Sequence, residues 1–209
     1  MKTEDLIAAL SADATPGAAP EGGLPWMLAA LALAGGVFYA AFGLRADPMA
    51  ALAPFTLPKT LLPLALGALA LALAFRAARP GQSAGPLPAL MLAVPAVAAA
   101  TALLRLVQTD PAGWAMQATG KTMVPCLVTI PLLALLPLAA LLGALRRGAP
   151  LSPARAGLAA GLAAGGLAAT LYSLHCTEDS PLFWALWYST GIAISGALGA
   201  VAGHRVLRW

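Results

Sequence analysis

Charge is what this sequence most lacks. Only 10% of its 209 residues are Asp, Glu, Lys or Arg, against roughly 25% in an ordinary soluble domain. So few charges cannot cover the surface of a water-soluble fold of this size. Two cysteines allow at most one internal disulfide, which excludes a disulfide-held scaffold. The sequence contains no nucleophile elbow, phosphate-binding loop, HExxH or CxxC motif, and its two histidines, His175 and His204, are far apart in the predicted topology. These absences argue against an enzyme. The Lys and Arg residues give a net charge of +4 but occur singly or in pairs between apolar runs, so no basic stripe forms for nucleic acid.

What fills the space is Ala, Leu and Gly, with 60% of residues hydrophobic. Asp, Glu, Lys and Arg are absent from 22–44, 60–75, 80–104, 122–145, 156–176 and 180–204. A helix needs about 20 apolar residues to cross the hydrocarbon core. The pattern therefore predicts an all-α polytopic membrane protein with six transmembrane helices, at about 24–44, 58–76, 86–105, 123–145, 154–174 and 182–204. Prolines 63, 95, 131 and 137 fall inside these spans, where neighbouring helices of a bundle accommodate the kinks. No ionisable residue lies deep in any run, which weighs against an ion- or proton-coupled carrier.

Placing the amino terminus in the cytoplasm puts Lys2, Arg76, Arg79, Arg146, Arg147, Arg155, Arg205 and Arg208 inside, and Arg45, Lys59, Arg105 and Lys121 outside. This bias follows the positive-inside rule and predicts both termini inside, in a bacterial inner membrane. Tyr172, Phe183, Trp184, Trp187 and Tyr188, with Trp114, then gather at the outer boundary and read as an interfacial aromatic belt.

Residues 1–23 form a separate amino-terminal arm and linker ahead of the membrane domain, 24–209. Four acidic residues and a single Lys2 make the arm unlike a secretory signal peptide. Thr3 is placed to N-cap a short helix with Glu4 and Asp5 in its first turn, and Leu6, Ile7 and Leu10 share one face. A helix this short is marginal alone in water and needs a partner or a membrane surface. The stretch 14–23, rich in Gly, Ala and Pro, reads as a flexible linker.

In the last two spans, Gly157, Gly161 and Gly165 recur every four residues, as do Gly191, Ser195, Gly199 and Gly203. Small residues at this spacing let two helix backbones approach closely.

The predicted topology brings Cys126 and Cys176 to the same outer face, which in a bacterium is oxidising. Three readings are open: a structural disulfide clamping the fourth span to the last two, a reactive or metal-binding pair, or unrelated small apolar residues. His175 beside Cys176, and Met123 one helical turn from Cys126, favour the second reading, because thiolate, thioether and imidazole suit soft metals. Glu178 and Asp179 add negative potential that attracts cations. A small transporter or metal-efflux component with an outer Cys/His/Met entry site is the principal alternative function.

Several segments resemble the NrsF family of six-span bacterial anti-sigma factors. They are the opening Met1-Lys2-Thr3-Glu4-Asp5-Leu6-Ile7, Cys126, the run from His175 to Phe183 with Trp187-Tyr188, and the glycine-rich final spans. The resemblance implies an inhibitor that holds an extracytoplasmic-function sigma factor at the membrane. It also implies that the paired outer cysteines, here Cys126 and Cys176, sense heavy-metal or oxidative stress, with a soft or heavy metal ion as a transient ligand. The arm, with Thr3, Asp5, Leu6, Ile7 and Leu10, would be part of the sigma-binding surface, and no direct contact with nucleic acid is expected. The linker here is less basic than the family pattern leads one to expect, which points to Arg146, Arg147 and Arg155 for a share of the cytoplasmic contact.

Overall fold

A computed structural model describes residues 2–12, 20–47, 49–50, 53 and 56–208. Among these, the regular structure is entirely helical. A short helix, α1 (Thr3–Ala12), precedes α2 (Leu24–Phe42), α3 (Leu57–Ala77) and α4 (Leu87–Val107). A one-turn-and-a-half helix, α5 (Trp114–Thr119), leads into α6 (Met123–Leu145), α7 (Pro153–Ser173) and α8 (Pro181–Val206). Six of these helices, α2, α3, α4, α6, α7 and α8, are long and apolar enough to cross a membrane. Each lies within two residues of its predicted bounds at both ends. The sequence reading gave no sign of α5. Of the predicted linker, residues 14–19 lie outside the described residues, and Pro20–Gly23 form a single 3-10 turn leading into α2.

Proline starts these helices. It occupies one of the first two positions of α2, α3, α4, α7 and α8, where its missing N–H costs nothing and its fixed φ suits a first turn. Gly43 ends α2 at φ +75°, donating its N–H to the Tyr39 carbonyl, a conformation that few side chains tolerate.

The helix α7 is the hub. It packs against α8, α3 and α6, while α2 lies mainly on α6, and α4 touches α3 and α8. Glycine makes this possible. A Cβ on Gly157 would collide with the Gly199 carbonyl, one on Gly161 would lie 2.9 Å from Gly196 Cα, and one on Gly203 would lie 2.6 Å from Gly157 Cα. Gly165 faces the Ser195 side chain. Gly191 departs from the predicted stripe, because it turns towards Ile130 of α6, 3.2 Å from where its own Cβ would stand. Gly196 takes its place on the α7 side. A second seam, between α3 and α7, was not anticipated: a Cβ on Gly166 would lie 2.7 Å from the Pro63 carbonyl and 2.8 Å from Gly67 Cα.

The alternating helices give the bundle two distinct ends. At one end Gly23 meets Ala144, and Ala149 donates to the Ala78 carbonyl at 2.9 Å, beside Arg76, Arg79, Arg146 and Arg147. The other end carries both cysteines. The chain leaves the arm for α2 at the arginine end.

Candidate functional site

Cys126 is the fourth residue of α6, and Cys176 follows α7 in the link to α8; both are buried and both are free thiols. The structural-disulfide reading is thus not the arrangement adopted. Thr122 Oγ1 stands 3.8 Å from Cys176 Sγ. Tyr172 and Tyr188, whose ring centroids are 5.8 Å apart, are buried in the same cluster as Cys176, and the Tyr188 hydroxyl has no hydrogen-bond partner among the described residues. The Cys176 thiol therefore has a threonine, and among the described residues no His, Asp or Glu, as its hydrogen-bonding neighbour.

His175 is directed elsewhere. Its Nδ1 is 2.9 Å from the Gly43 carbonyl, and its ring packs against Phe38, Phe42 and Tyr172. Among the described residues no three His, Cys, Asp or Glu side chains converge to hold a metal ion. Met123 packs, half-buried, against the core, and Met116 is exposed. A combined Cys/His/Met ligand set is not assembled, because the residue next to Cys176 in sequence points to α2 while the thiol points to α6.

Glu178 and Asp179 were expected to draw cations to the loop. The cations they draw are the chain's own. Asp179 forms a two-pronged pair with Arg45 at 3.0 and 2.9 Å and accepts from Lys59 Nζ at 3.0 Å. Lys59, counted in the sequence among the outer cations, is the third residue of α3 and fully buried. Its ammonium also donates to the Cys176 carbonyl at 2.6 Å and lies 6.0 Å from the Tyr188 ring centroid. A buried ammonium is tolerable only when paired and hydrogen-bonded in this way. Burial raises the Asp179 pKa, but the hydrogen bonds and charges of Arg45 and Lys59 outweigh it and hold the carboxyl below its usual value. The same hydrogen bonds raise the Arg45 guanidinium above its ordinary value, against a smaller opposing effect of burial. The presence of both acids and two outer cations on one face was the only sequence signal for this network.

Glu178 accepts from the Lys121 backbone N–H at 2.7 Å. This fastens the segment after α5 over the site. Gly120 there has φ +55°, and a Cβ would lie 2.7 Å from the Phe183 ring and 2.9 Å from the Glu178 carboxyl carbon. Trp187 Nε1 donates to the Ala118 carbonyl at 2.7 Å. The expected interfacial belt is therefore largely internal: Tyr172, Phe183, Trp184 and Tyr188 are all buried and wall the cysteine end. The segment after α5 covers Phe183, while Tyr172 packs against Phe38 of α2.

The loop after α7 is also tied to α2. Arg45 donates its backbone N–H to the Leu174 carbonyl at 3.1 Å and its side chain to the Cys176 carbonyl at 3.4 Å. Tyr39 donates to the Leu171 carbonyl. Cys176 and the α2 end are thus parts of one hydrogen-bonded unit.

The arm is a contrast. In α1 the Lys2 carbonyl accepts from Leu6 N–H, and the Lys2 N–H donates to the Asp5 carboxylate at 3.2 Å. The cap position therefore belongs to Lys2 and not to Thr3, with Asp5 reaching back to it. No residue of α1 is buried, and Leu6, Ile7 and Leu10 are 42, 61 and 66% exposed.

Comparison with known proteins bears on what such an arrangement serves. Residues 8–209 match the family described as NrsF, negative regulator of sigma F. The chain is 39% identical to the anti-sigma-F factor NrsF of Caulobacter vibrioides, and 35% identical to the probable anti-sigma-F factor NrsF of Azospira oryzae, each over the whole of both chains. No solved structure matches. Members of this family are regulators and not enzymes. On the match across nearly its whole length, this chain belongs to the NrsF family of negative regulators of sigma F.

Proposed function

We propose that the protein is an inner-membrane anti-sigma factor, with both termini in the cytoplasm, that binds an extracytoplasmic-function sigma factor through α1 and releases it when Cys126 and Cys176 react on the periplasmic side. The exposed apolar face of α1 carries this reading, because the membrane domain buries none of it. Burying Leu6, Ile7 and Leu10 on a partner stabilises the complex by about 1.5–3 kcal/mol each before ordering costs, enough to hold a short helix that is marginal alone. The Arg-rich end supports the cytoplasmic assignment of the arm, and the relatives' names supply the partner class.

The input is a soft metal ion, which displaces the thiol proton of Cys126 or Cys176 on binding, or an oxidant of these thiols; in the described fold the two are not brought together as a ligand pair. Both are buried, so the segment from α5 to Thr122 must open first. Reaction at Cys176 displaces the loop that Arg45 and His175 tie to the end of α2. The opposite end of α2 leads to the arm. For sigma to leave, the reacted state must favour an arm geometry of lower affinity, since a ligand shifts an equilibrium only by differential binding.

Two variants test this reading. Deleting residues 3–12 should free the sigma factor from the membrane fraction and derepress its target promoter without inducer. The double change Cys126→Ser with Cys176→Ser should keep repression and abolish induction by thiol-reactive metals. Retention of sigma by the truncated chain rules out the arm as the contact, and normal induction in the double variant removes the thiols from the signal path.

A further inference from the structure

The two ends of the bundle differ in how their charges are balanced. The four acidic residues beyond the arm, Asp47, Asp110, Glu178 and Asp179, all fall at the cysteine end. The arginine end holds seven arginines, Arg79, Arg146 and Arg147 among them, and the arm joins it with Lys2 and four acids, which leaves eight cations against four acidic side chains. An end with such an excess attracts anionic partners.

One recess at this end has a shape to receive such a partner. A cavity of about 240 Å³ lies between the start of α2 and the end of α6, lined by Gly23, Trp26, Ala140, Gly143, Ala144 and Arg147. Glycine creates it. A Cβ on Gly23 would collide with the Ala144 side chain, whereas nothing lies within 4 Å of the Cβ position of Gly143. The two segments therefore touch at Ala144 and stand open beside it.

Depth narrows the choice of occupant. Trp26 is the third residue of α2, and the stretch from Ala140 to Arg147 covers the last six residues of α6 and two beyond, a rise of about 10 Å. With its 23 residues, α6 is roughly 35 Å long, against about 30 Å of hydrocarbon. The recess thus crosses from the edge of the hydrocarbon into the headgroup layer. Trp26 is 70% exposed, which near the end of a spanning helix is exposure to the bilayer interface. Arg147 is exposed, and its guanidinium makes no hydrogen bond or ion pair among the described residues. A soluble acidic partner would meet arginines at the loop tips, not a recess whose floor lies at the depth of Ala140. Basic pockets between helix ends suit phospholipid headgroups.

We propose that this recess binds one anionic phospholipid, whose phosphate accepts from the Arg147 guanidinium and whose glycerol end lies over Gly143 beside Trp26. The excess of cations favours a headgroup of net negative charge over a zwitterionic one, whose ammonium those arginines repel. Bound there, the lipid bridges α2 and α6 where the arm enters the bundle. The assignment rests neither on the cysteines nor on the partner of the arm.

The test uses the full chain in mild detergent with an equimolar mixture of phosphatidylglycerol and phosphatidylethanolamine. Native mass spectrometry follows the lipid retained through graded washing. The unaltered protein should keep one phosphatidylglycerol in preference to phosphatidylethanolamine. Arg147→Gln should weaken that retention about ten-fold, as expected for the loss of a charge-assisted hydrogen bond. Arg146→Gln removes the same charge from the adjacent exposed residue, which does not line the recess, and should leave retention unchanged. Gly143→Leu occupies open space at the recess and should abolish retention, while Gly36→Leu, equally open but elsewhere on α2, should not. A second readout is thermal: added phosphatidylglycerol should raise the melting temperature of the unaltered protein and of Arg146→Gln, but not that of Arg147→Gln. The proposal is overturned if both lipids are retained equally, if the two arginine variants behave alike, or if Gly143→Leu keeps the lipid. It is also overturned if Arg147→Gln retains the lipid and instead loses sigma factor, which would make the recess a protein contact.

Discussion

The α7–α8 seam and the cysteine end are built on opposite principles. In the seam, contact depends on the absence of side chains: Gly157, Gly161, Gly199 and Gly203 bring backbone against backbone. At the cysteine end, contact depends on long polar side chains, with Arg45, Lys59, Asp179 and Glu178 spanning between helices and loops. At these glycines the seam contains no side chain that can ionise or react, and it cannot slide without a collision. The other end has both capacities and is held by bonds that can be exchanged. Such a division gives the molecule a close-packed hub and, at the cysteine end, a polar network that ties the loop after α7 to the end of α2.

The largest effect should come from breaking the seam. A Cβ on Gly199 would collide with the Gly157 carbonyl and lie 2.7 Å from Gly161 Cα, both backbone atoms that cannot step aside. Gly199→Leu should therefore cost at least about 3 kcal/mol and remove folded protein from the membrane. Gly36→Leu is the matched control, since nothing lies within 4 Å of its Cβ position. Melting in detergent and membrane abundance measure both. Equal tolerance of the two would show that the close approach does not hold the helices.

A smaller effect should follow from unpairing the cysteine end. Asp179→Ala leaves the buried Lys59 ammonium without its countercharge. Losing a partner of this kind costs about 3–5 kcal/mol when fully buried; with the Asp179 side chain 32% exposed, water repays part of it, and about 2 kcal/mol is expected. Adding Lys59→Met should recover much of the loss, which a merely structural role for Asp179 would not allow. The pH dependence has a definite sign. The folded-state pKa of Asp179 lies below its unfolded value, so its contribution is complete above the unfolded value, about 3.9, and is lost as pH falls through the folded one. The Asp179-dependent part of the melting temperature should be flat from pH 8 to about pH 5 and decline below about pH 4. In Asp179→Asn that part of the decline should vanish.

The six helices were legible because hydrocarbon imposes one rule on every span, a continuous apolar run of fixed length, and this chain obeys it six times. The close approach of α7 and α8 could also be read, since glycine every fourth residue is a local pattern. Gly191 shows the limit of that pattern: periodicity gives a face but not which neighbour it meets, and here the neighbour is α6. The cysteine end was legible only as a list of residues on one side. His175 and Cys176 are adjacent, yet one bonds to the end of α2 and the other faces Thr122. Lys59 is at the margin of its apolar run, so only the fold reveals that it is wholly buried. Aromatic residues at a boundary suggest lipid contact by composition, and α5, which bonds Trp187 and leads into the segment over Phe183, is too short to give a periodic signal.

The smallest effect concerns α1, which stands outside both regions and has neither a seam nor a network to hold it. At its start the Asp5 carboxylate accepts from Lys2 N–H, a bond that closes the first turn of a ten-residue helix. Removing it with Asp5→Ala should cost about 0.5 kcal/mol of helix stability, and because the helix is marginal to begin with, the loss passes into binding as about a two-fold weaker sigma affinity. Thr3→Ala should leave the affinity unchanged, since Thr3 is the first helical residue and Lys2 holds the cap. The paired measurement is titration of the purified protein with its sigma factor for both variants, with the bundle's melting temperature as reference. That temperature should not move in either, because no α1 residue is buried against the bundle. A greater loss for Thr3→Ala than for Asp5→Ala would place Thr3 itself in the contact and reverse the order of the two roles.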